Sequence, residues 1–333
     1  MASPVCLIVN PAAGGGKAGR LGPELERTLR GHGLTVRRVE TRDLPHAREL
    51  AAEAAGLGET VVSLSGDGML GAIADALRTI PGAVLGVLPG GRGNDFARVL
   101  GIADDPHAAC ATIAHGSPRP VDVGEAAGRA FVGIASVGFD SDANRIANEA
   151  PPWLGGLVYT YGALRALASW QPATFEIELD PPGERHTFTG YSVGTANSKA
   201  YGGGMYAAPD ALLDDGLLEV VVVEAMSRRR FLADLLPKVF KGTHVRLPTV
   251  RVFRAKEVEI SADRPFTMYA DGDPIADLPV RVRALQGAIN MLVPLQSQAR
   301  PAFAAPDANA EKQAAGGERT ATVQPPGESA VGP

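Results

Sequence analysis

A chain of 333 residues is too long for one average domain and about the right length for two. Its 45% hydrophobic and 21% charged residues describe an ordinary soluble globular protein rather than a disordered or fibrous one. A net charge of −5 excludes a general nucleic-acid binder, which would be basic, and leaves room for local basic faces.

The chain enters a strand, Val5–Val9, almost at once, and that apolar run is too short for a signal core. No apolar run approaches the length that spans a bilayer, so the reading is a cytoplasmic protein that touches a membrane only from outside. Cys6 and Cys110 lie in apolar surroundings with no metal or redox spacing, which reads as two buried free thiols in a reducing compartment.

After the first strand comes the glycine-rich stretch Asn10-Pro11-Ala12-Ala13-Gly14-Gly15-Gly16-Lys17-Ala18-Gly19-Arg20, then a helix over roughly 21–31. A strand follows at 34–40, and a helix near 46–55 places Ala47, Leu50, Ala51 and Ala54 on one face. A buried strand over 61–64 ends in Ser65-Gly66-Asp67-Gly68 and opens into a helix from Met69 to Leu77. Another strand, 84–88, runs into Pro89-Gly90-Gly91-Arg92-Gly93-Asn94-Asp95-Phe96-Ala97-Arg98. Strand alternating with helix predicts a parallel sheet covered by helices, whose ligands sit at the carboxyl ends of the strands. All three glycine-rich turns lie there.

Glycines at a strand-to-helix turn expose backbone N–H groups, and a helix start attracts anions. The Asp67 carboxylate cannot bind a phosphate but can hold a magnesium ion that does. The pattern points to a nucleotide with its metal. Gly14 to Gly19 also matches the dinucleotide fingerprint, with Glu40 ending the next strand as a ribose ligand would, so a nicotinamide-dependent enzyme is the competing reading. Against it, Asn10-Pro11 separates the strand from the glycines. Lys17 is followed by Ala18, which excludes a Walker loop and leaves a looser phosphate-binding loop with Lys17 and Arg20 as point charges.

From about Val121 the pattern changes to closely spaced strands at 131–137, 174–179, 188–194, 217–223, 249–253, 257–261 and 266–270. These predict a mostly antiparallel second domain, a β-sandwich. One helix interrupts it, from Ser227 to about Lys241, with Arg228, Arg229, Arg230, Lys238 and Lys241 forming either a solvated face or a membrane-surface patch. From about Gln296 the chain is rich in Ala, Pro, Gly and Gln and reads as a disordered tail.

Taken in order over about residues 5–295, these motifs resemble the diacylglycerol kinase catalytic-domain family, which includes bacterial lipid kinases and the sphingosine and ceramide kinases. Asn10-Pro11 through Gly16-Lys17 looks like the family's first nucleotide loop, and Thr41 matches a nucleotide-contacting threonine. Ser65-Gly66-Asp67-Gly68 is similar to the Gly-Gly-Asp-Gly-Thr signature, and the stretch from Gly91 to Arg98 to the second loop. Gly202-Gly203-Gly204, Asp214-Asp215-Gly216 and Asp271-Gly272-Asp273 recur at the expected places. Met69, Ala72, Arg92 and Asp273 depart from the family's usual threonine, glutamate, threonine and glutamate.

The resemblance implies an α/β nucleotide-binding domain over 1–122, to which a segment near 288–295 returns. It is followed by a β-rich lipid-acceptor domain over 123–287 and a tail over 296–333. It implies ATP held by Asn10, Pro11, Gly14, Gly16, Lys17, Thr41, Ser65, Gly66, Asp67, Gly68, Met69, Gly91, Arg92, Asn94 and Asp95. Asp67 and Asp95 would organise a catalytic magnesium ion through water, and Asp271 or Asp273 would take the proton of the attacking hydroxyl, Asp271 first. A second, structural magnesium would sit on the Asp215 carboxylate and the carbonyls of Leu212 and Leu217. The implied reaction phosphorylates a lipid alcohol at an anionic membrane surface, diacylglycerol before a sphingoid base, ceramide or NAD. Lys17, Arg20, Arg98 or the 227–241 helix would meet the headgroups. A nucleotide- or lipid-binding regulator without turnover is the alternative of another class. A sandwich edge would allow a homodimer.

Overall fold

The computed structural model describes residues 4–151, 158–295 and 302–304. β1 (Val5–Val9), β3 (Thr60–Ser65) and β4 (Val84–Pro89) are buried almost end to end, as strands covered on both faces must be. With β2 (Val36–Glu40) at the edge they pair in parallel in the order β4-β3-β1-β2. Parallel neighbours need crossovers. Here these are α1 (Ala13–Gly31), α2 (Leu44–Gly56) and α3 (Asp67–Leu77). Asp43 starts α2 by accepting the His46 N–H at 2.8 Å.

The chain then runs through α4 (Asp95–Val99) and α5 (Pro106–His115) into β5 (Ser117–Ala126) and β6 (Arg129–Phe131). The second lobe holds β7 (Ile134–Gly138), α6 (Phe139–Asn148), α7 (Val158–Ser169), β8 (Ala173–Leu179), β9 (Glu184–Ala196) and the small hairpin β10 (Ala200–Tyr201) and β11 (Met205–Tyr206). After β12 (Leu218–Glu224) comes a helix in three parts: α8 (Arg228–Arg230), a π-helical turn (Phe231–Leu235) and α9 (Leu236–Val239). Strands β13 (Val250–Ala255), β14 (Glu257–Ala262), β15 (Thr267–Ala270), β16 (Asp273–Asp277) and β17 (Val280–Val293) complete it.

Pairing within the second lobe is antiparallel, β16-β15-β7-β9-β8-β14-β17. The fold is thus an α/β lobe with a parallel sheet and a β-sandwich lobe. β17 serves both: Val280–Arg283 pairs with β14, while Asn290 and Met291 pair in parallel with β4. One core, with Leu7, Leu64, Ile73 and Leu85, fills the first lobe. Phe131, Phe175, Val220 and Val258 fill the sandwich, and Phe139, Trp170, Tyr191 and Phe231 form a third cluster under the helices.

Three sequence expectations are corrected. The second lobe carries α6 and α7, which the strand-like reading of 131–179 passed over. They lie so close that a β-carbon on Gly162 would stand 2.5 Å from the Ala143 carbonyl. The helix expected from Ser227 to Lys241 is continuous over 228–239 but widens into a π turn at Phe231–Leu235, next to Pro237, which has no N–H for the helical ladder. Finally, Ala302 and Phe303 lie within the segment expected to be disordered, yet both are packed. The Leu213 N–H donates to the Ala302 carbonyl at 2.8 Å, and the Arg119 guanidinium sits 3.8 Å from the centre of the Phe303 ring. The rest of that expectation lies outside the described residues. Cys6 and Cys110 are buried and free. Among the described residues no helix is long and apolar enough to cross a membrane.

Candidate active site

The three glycine-rich turns meet backbone to backbone. Gly14, Gly15 and Gly16 have φ of 60°, 68° and 87°, a run of left-handed residues that only glycine tolerates. A β-carbon on Gly14 would stand 2.6 Å from the Gly90 carbonyl oxygen, and one on Gly91 would stand 2.5 Å from Gly66 Cα. Asn10 Oδ1 accepts the Ala12 N–H at 3.1 Å, and Asn94 Oδ1 accepts the Gly91 N–H at 2.8 Å, so each asparagine shapes its own loop. The first N–H groups of α3 face this junction with no carbonyl upstream to take them.

Asp67 begins α3, and its two oxygens accept the N–H groups of Asp95 and Phe96, both at 3.1 Å. Burial, then the neighbouring Asp95, pushes its carboxyl above the ordinary value. Asp95 reaches the other way, accepting the Gly203 and Gly204 N–H groups at 2.7 and 2.8 Å and pairing with Arg98 at 2.8 Å. It ties the two lobes together.

From the second lobe, Asp271 and Gly272 form the two-residue turn between β15 and β16, with φ of 50° and 95°. The left-handed Asp271 is held by its own side chain: Oδ1 accepts the Gly133 and Ile134 N–H groups at 2.9 and 3.2 Å, and Oδ2 accepts that of Val132 at 2.9 Å. A β-carbon on Gly71 of α3 would stand 2.7 Å from Asp271 Oδ2, and one on Gly68 would stand 3.1 Å from Asp273 Oδ2. The hairpin of one lobe therefore rests on the helix start of the other. Burial raises Asp271 to about 7 against the pull of its N–H partners, with Asp67 adding to the rise. Burial also raises Asp273, while Arg129 and Arg48 pull it down; its carboxylate has no hydrogen-bond partner among the described residues.

Between the lobes lies a cleft of about 490 Å³. Of the residues expected to hold a nucleotide, Asn10, Gly14, Gly66, Asp67, Gly68, Met69, Gly91, Arg92 and Asp95 line it, with Asp271 and Asp273 opposite. Pro11, Gly16, Lys17, Thr41, Ser65 and Asn94 do not. The hydroxyls of Thr41 and Ser65 are turned to backbone carbonyls, of Asp43 at 2.7 Å and Gly66 at 3.0 Å. Arg98 braces Asp95 and the Gly93 carbonyl, whereas Arg92 has no ion pair among the described residues. Glu40 pairs with Arg38 at 2.6 Å.

An apolar pocket of about 410 Å³ opens beside the cleft and shares Arg92, Ile134, Asn144, Tyr201 and Gly202 with it. α6, α7, the π turn, α9 and the β10–β11 hairpin supply most of its walls. Asp140 is a polar exception: burial lifts it to about 6 against the pull of the Ser192 hydroxyl. The Tyr201 phenol feels both Asp140 and Asp95 and, being buried, is raised well above its ordinary value. Sequence reasoning missed Asp140, Tyr201, Gly71, Gly133 and the pocket itself. Gly71 and Gly133 were the legible signal, glycines with no turn to justify them.

Residues 4–126 match the diacylglycerol kinase catalytic domain, and residues 133–293 match the YegS C-terminal NAD kinase beta sandwich-like domain. A diacylglycerol kinase of Mycobacterium tuberculosis is 31% identical over 299 residues, covering 87% of this chain and 95% of the relative. The chain belongs to the diacylglycerol kinase and YegS-like lipid kinase family. Another member, named "Probable lipid kinase YegS-like", of Pseudomonas putida, is 30% identical over 273 residues, 81% of this chain and 89% of its own. The solved structure of a diacylglycerol kinase from Bacillus anthracis shares the fold, with a TM-score of 0.69 at 22% identity over 88% of this chain and 97% of that one.

The residues expected to hold magnesium lie in two places. In the cleft the pair expected to organise the ion is Asp67 and Asp95. Burial and then Asp95 raise the Asp67 carboxyl, a charge a hard cation would answer, while the Asp95 oxygens are taken by the Gly203 and Gly204 N–H groups and Arg98. Among the described residues no group of three or more His, Cys, Asp or Glu side chains could by itself hold a metal ion, so an ion here would need water and phosphate oxygens as well. The loop at 212–217 fits less well. Asp215 there accepts the Leu217 N–H at 3.0 Å and is paired with the Arg254 guanidinium, which also pairs with Glu219 at 2.9 Å. A guanidinium already neutralises the carboxylate that the second magnesium was expected to use. Neighbouring Asp214 pairs with Arg119 at 3.1 Å.

Proposed function

We propose that this chain transfers the γ-phosphate of ATP to the hydroxyl of a lipid alcohol, with diacylglycerol the first acceptor and phosphatidic acid the product. The observation that carries the proposal is the seating of the Asp271 turn of one lobe on the α3 start of the other, across a cleft floored by three glycine loops. The names of the relatives support lipid phosphorylation and, in one case, diacylglycerol.

Each residue then has a task. The glycine loops let the triphosphate approach the backbone, and N–H groups at the start of α3 and the Arg92 guanidinium meet its charge. Magnesium, when bound beside Asp67, supplies neutralisation of the charge that grows on the phosphates. Asp271 keeps one lone pair of Oδ2 free after its three N–H contacts, and that oxygen takes the proton of the acceptor hydroxyl. The lipid oxygen bonds to the γ-phosphorus while the bond from that phosphorus to the β–γ bridging oxygen breaks, and ADP leaves with the electron pair. A carboxyl near 7 is matched to this task at neutral pH. Asp273, nearby and without a hydrogen-bond partner for its carboxylate among the described residues, is the second acid able to do it.

The apolar pocket suits a hydrocarbon tail. At about 410 Å³ it has room for an acyl chain. Asp140 and Asn144 place polar groups by the lipid's head. The test is label transfer from γ-labelled ATP to a panel of diacylglycerol, monoacylglycerol, sphingosine, ceramide and NAD. Labelled phosphatidic acid is expected; labelled NAD alone would refute a lipid acceptor.

A further inference from the structure

The apolar pocket carries two polar groups that the phosphoryl transfer leaves idle, the Asp140 carboxyl and the Tyr201 phenol. Asp140 is the second residue of α6, directly after the turn at Gly138. Tyr201 ends β10, just before the glycines whose N–H groups grip Asp95. Both side chains line the pocket, Tyr201 lines the cleft as well, and the carboxylate is near enough to act on the phenol. The Tyr201 hydroxyl has no hydrogen-bond partner among the described residues. A phenol this deep in a protein ordinarily has one.

Charge and proton count decide what the two groups can hold. Among the described residues that line the pocket there is no lysine, and the one arginine, Arg92, stands where the pocket meets the cleft. Burial holds His244, the pocket's histidine, toward its neutral form. Asp140 has no ion pair among the described residues, and burial already raises it to about 6. A hydrocarbon tail that displaces water from the pocket makes an ionised carboxylate there costlier still, so the carboxyl takes a proton. The phenol keeps its own proton, because burial and the two nearby acids, Asp140 and Asp95, oppose its loss. Two O–H donors then face one apolar pocket. Such a pair fits an oxygen that has lone pairs and no proton, and the ester carbonyl of an acyl chain is that oxygen. An ether-linked chain has no carbonyl to offer. A sphingoid base brings an ammonium, which would keep Asp140 ionised instead.

We infer that Asp140 and Tyr201 are specificity-determining residues that together hold the ester carbonyl of the acyl chain lying in the pocket. The chain therefore takes acyl glycerolipids in preference to ether-linked or sphingoid acceptors. This deepens the reading that the acceptor is a lipid alcohol and rests on it. Anchoring the carbonyl leaves the glycerol hydroxyl on the cleft side, where Ile134, common to both cavities, donates its N–H to Asp271.

The test is steady-state phosphorylation by the full chain of dioleoylglycerol, its diether analogue dioleylglycerol, and sphingosine, each in mixed micelles. Wild type is expected to show kcat/KM at least tenfold higher for the diester than for the diether. Tyr201→Phe and, separately, Asp140→Leu are expected to bring that ratio below threefold through loss on the diester. Asp140→Asn, which keeps an N–H donor without a charge, is expected to recover at least half of what Asp140→Leu loses. A wild type that uses diether and diester equally overturns the inference without any variant. So does a wild type that prefers sphingosine, with Asp140→Asn as damaging as Asp140→Leu, for the carboxylate would then be reading an ammonium. Equal losses on diester and diether in Tyr201→Phe also overturn it, since they mark a role in shaping the lobe joint rather than in reading the carbonyl. Transfer by wild type to none of the three lipids defeats the functional reading itself, whereas equal transfer to diester and diether defeats this inference alone.

Discussion

Gly71 of α3 lies directly under Asp271, so close that a β-carbon on it would stand 2.7 Å from the carboxylate oxygen Oδ2. A glycine inside a helix costs about 1 kcal/mol relative to alanine. Here it makes room for an acid two hundred positions away. Gly71→Ala is therefore expected to favour the isolated helix while displacing Asp271. Steady-state kinetics should show kcat lower by about 10²-fold, with KM for ATP changed less than threefold. Unchanged kcat would mean that Asp271 has no fixed place in the reaction.

The pH dependence follows from the same carboxylate. Raised to about 7, Asp271 is mostly protonated at pH 6 and cannot take a proton there. The kcat/KM for the lipid is expected to climb with pH through about 7, and Asp271→Asn to abolish that limb. Stability runs the other way. A folded carboxyl that holds its proton above its unfolded value of 3.8 contributes most below about pH 4. It contributes less as pH rises toward 7, by up to ~1.4 kcal/mol per pH unit. Denaturation across that range should show the slope in wild type and a shallower one in Asp271→Asn. If Asp273→Asn rather than Asp271→Asn removes the kinetic limb, the base is Asp273.

Asp95 is expected to matter for stability as much as for chemistry. Its side chain is 4% exposed and satisfies two N–H groups of the second lobe and the Arg98 guanidinium. Asp95→Ala strands those donors at the joint between the lobes and should cost roughly 3 kcal/mol in guanidinium unfolding. Arg98→Ala removes a cation that is 43% exposed and should cost under about 1 kcal/mol. Similar losses for both would deny Asp95 its tying role.

The loop at 212–217 separates a guanidinium from a metal. Because Arg254 answers the charge of Asp215, a chelator added to nucleotide-free protein is expected to leave Tm within about 1 °C. Arg254→Ala is expected to lower it by several degrees, since it bares both Asp215 and Glu219. A large fall in Tm with chelator alone would restore the second magnesium.

The first lobe was legible in the sequence because each buried strand there ends in a glycine turn and each helix has an apolar face. The second was half legible. β17 was missed over most of its length because its alternation breaks at Gly287, where φ is 58° and the pairing with β5 slips. α7 was missed because its apolar residues are spread around the helix, whereas α6 keeps a clear amphipathic period that the strand reading overlooked. Asp67, Asp271 and Asp273 stood out as acids beside glycines, and the fold brings their segments together. Thr41 and Ser65 were given to the nucleotide by the resemblance; in the fold their hydroxyls donate to the carbonyls of Asp43 and Gly66, partners that only the tertiary structure reveals. Asp140 lay unmarked between the expected strands, since only the tertiary structure puts an apolar pocket around it.

The most direct measurement is label transfer from γ-labelled ATP to diacylglycerol in anionic vesicles, run on wild type and Asp271→Asn with ATP affinity measured on both. Labelled phosphatidic acid from wild type is expected, with at least a 10²-fold slower rate in Asp271→Asn and ATP affinity within threefold. Tight ATP binding by wild type with no label on diacylglycerol or any other lipid alcohol would contradict phosphoryl transfer in this cleft.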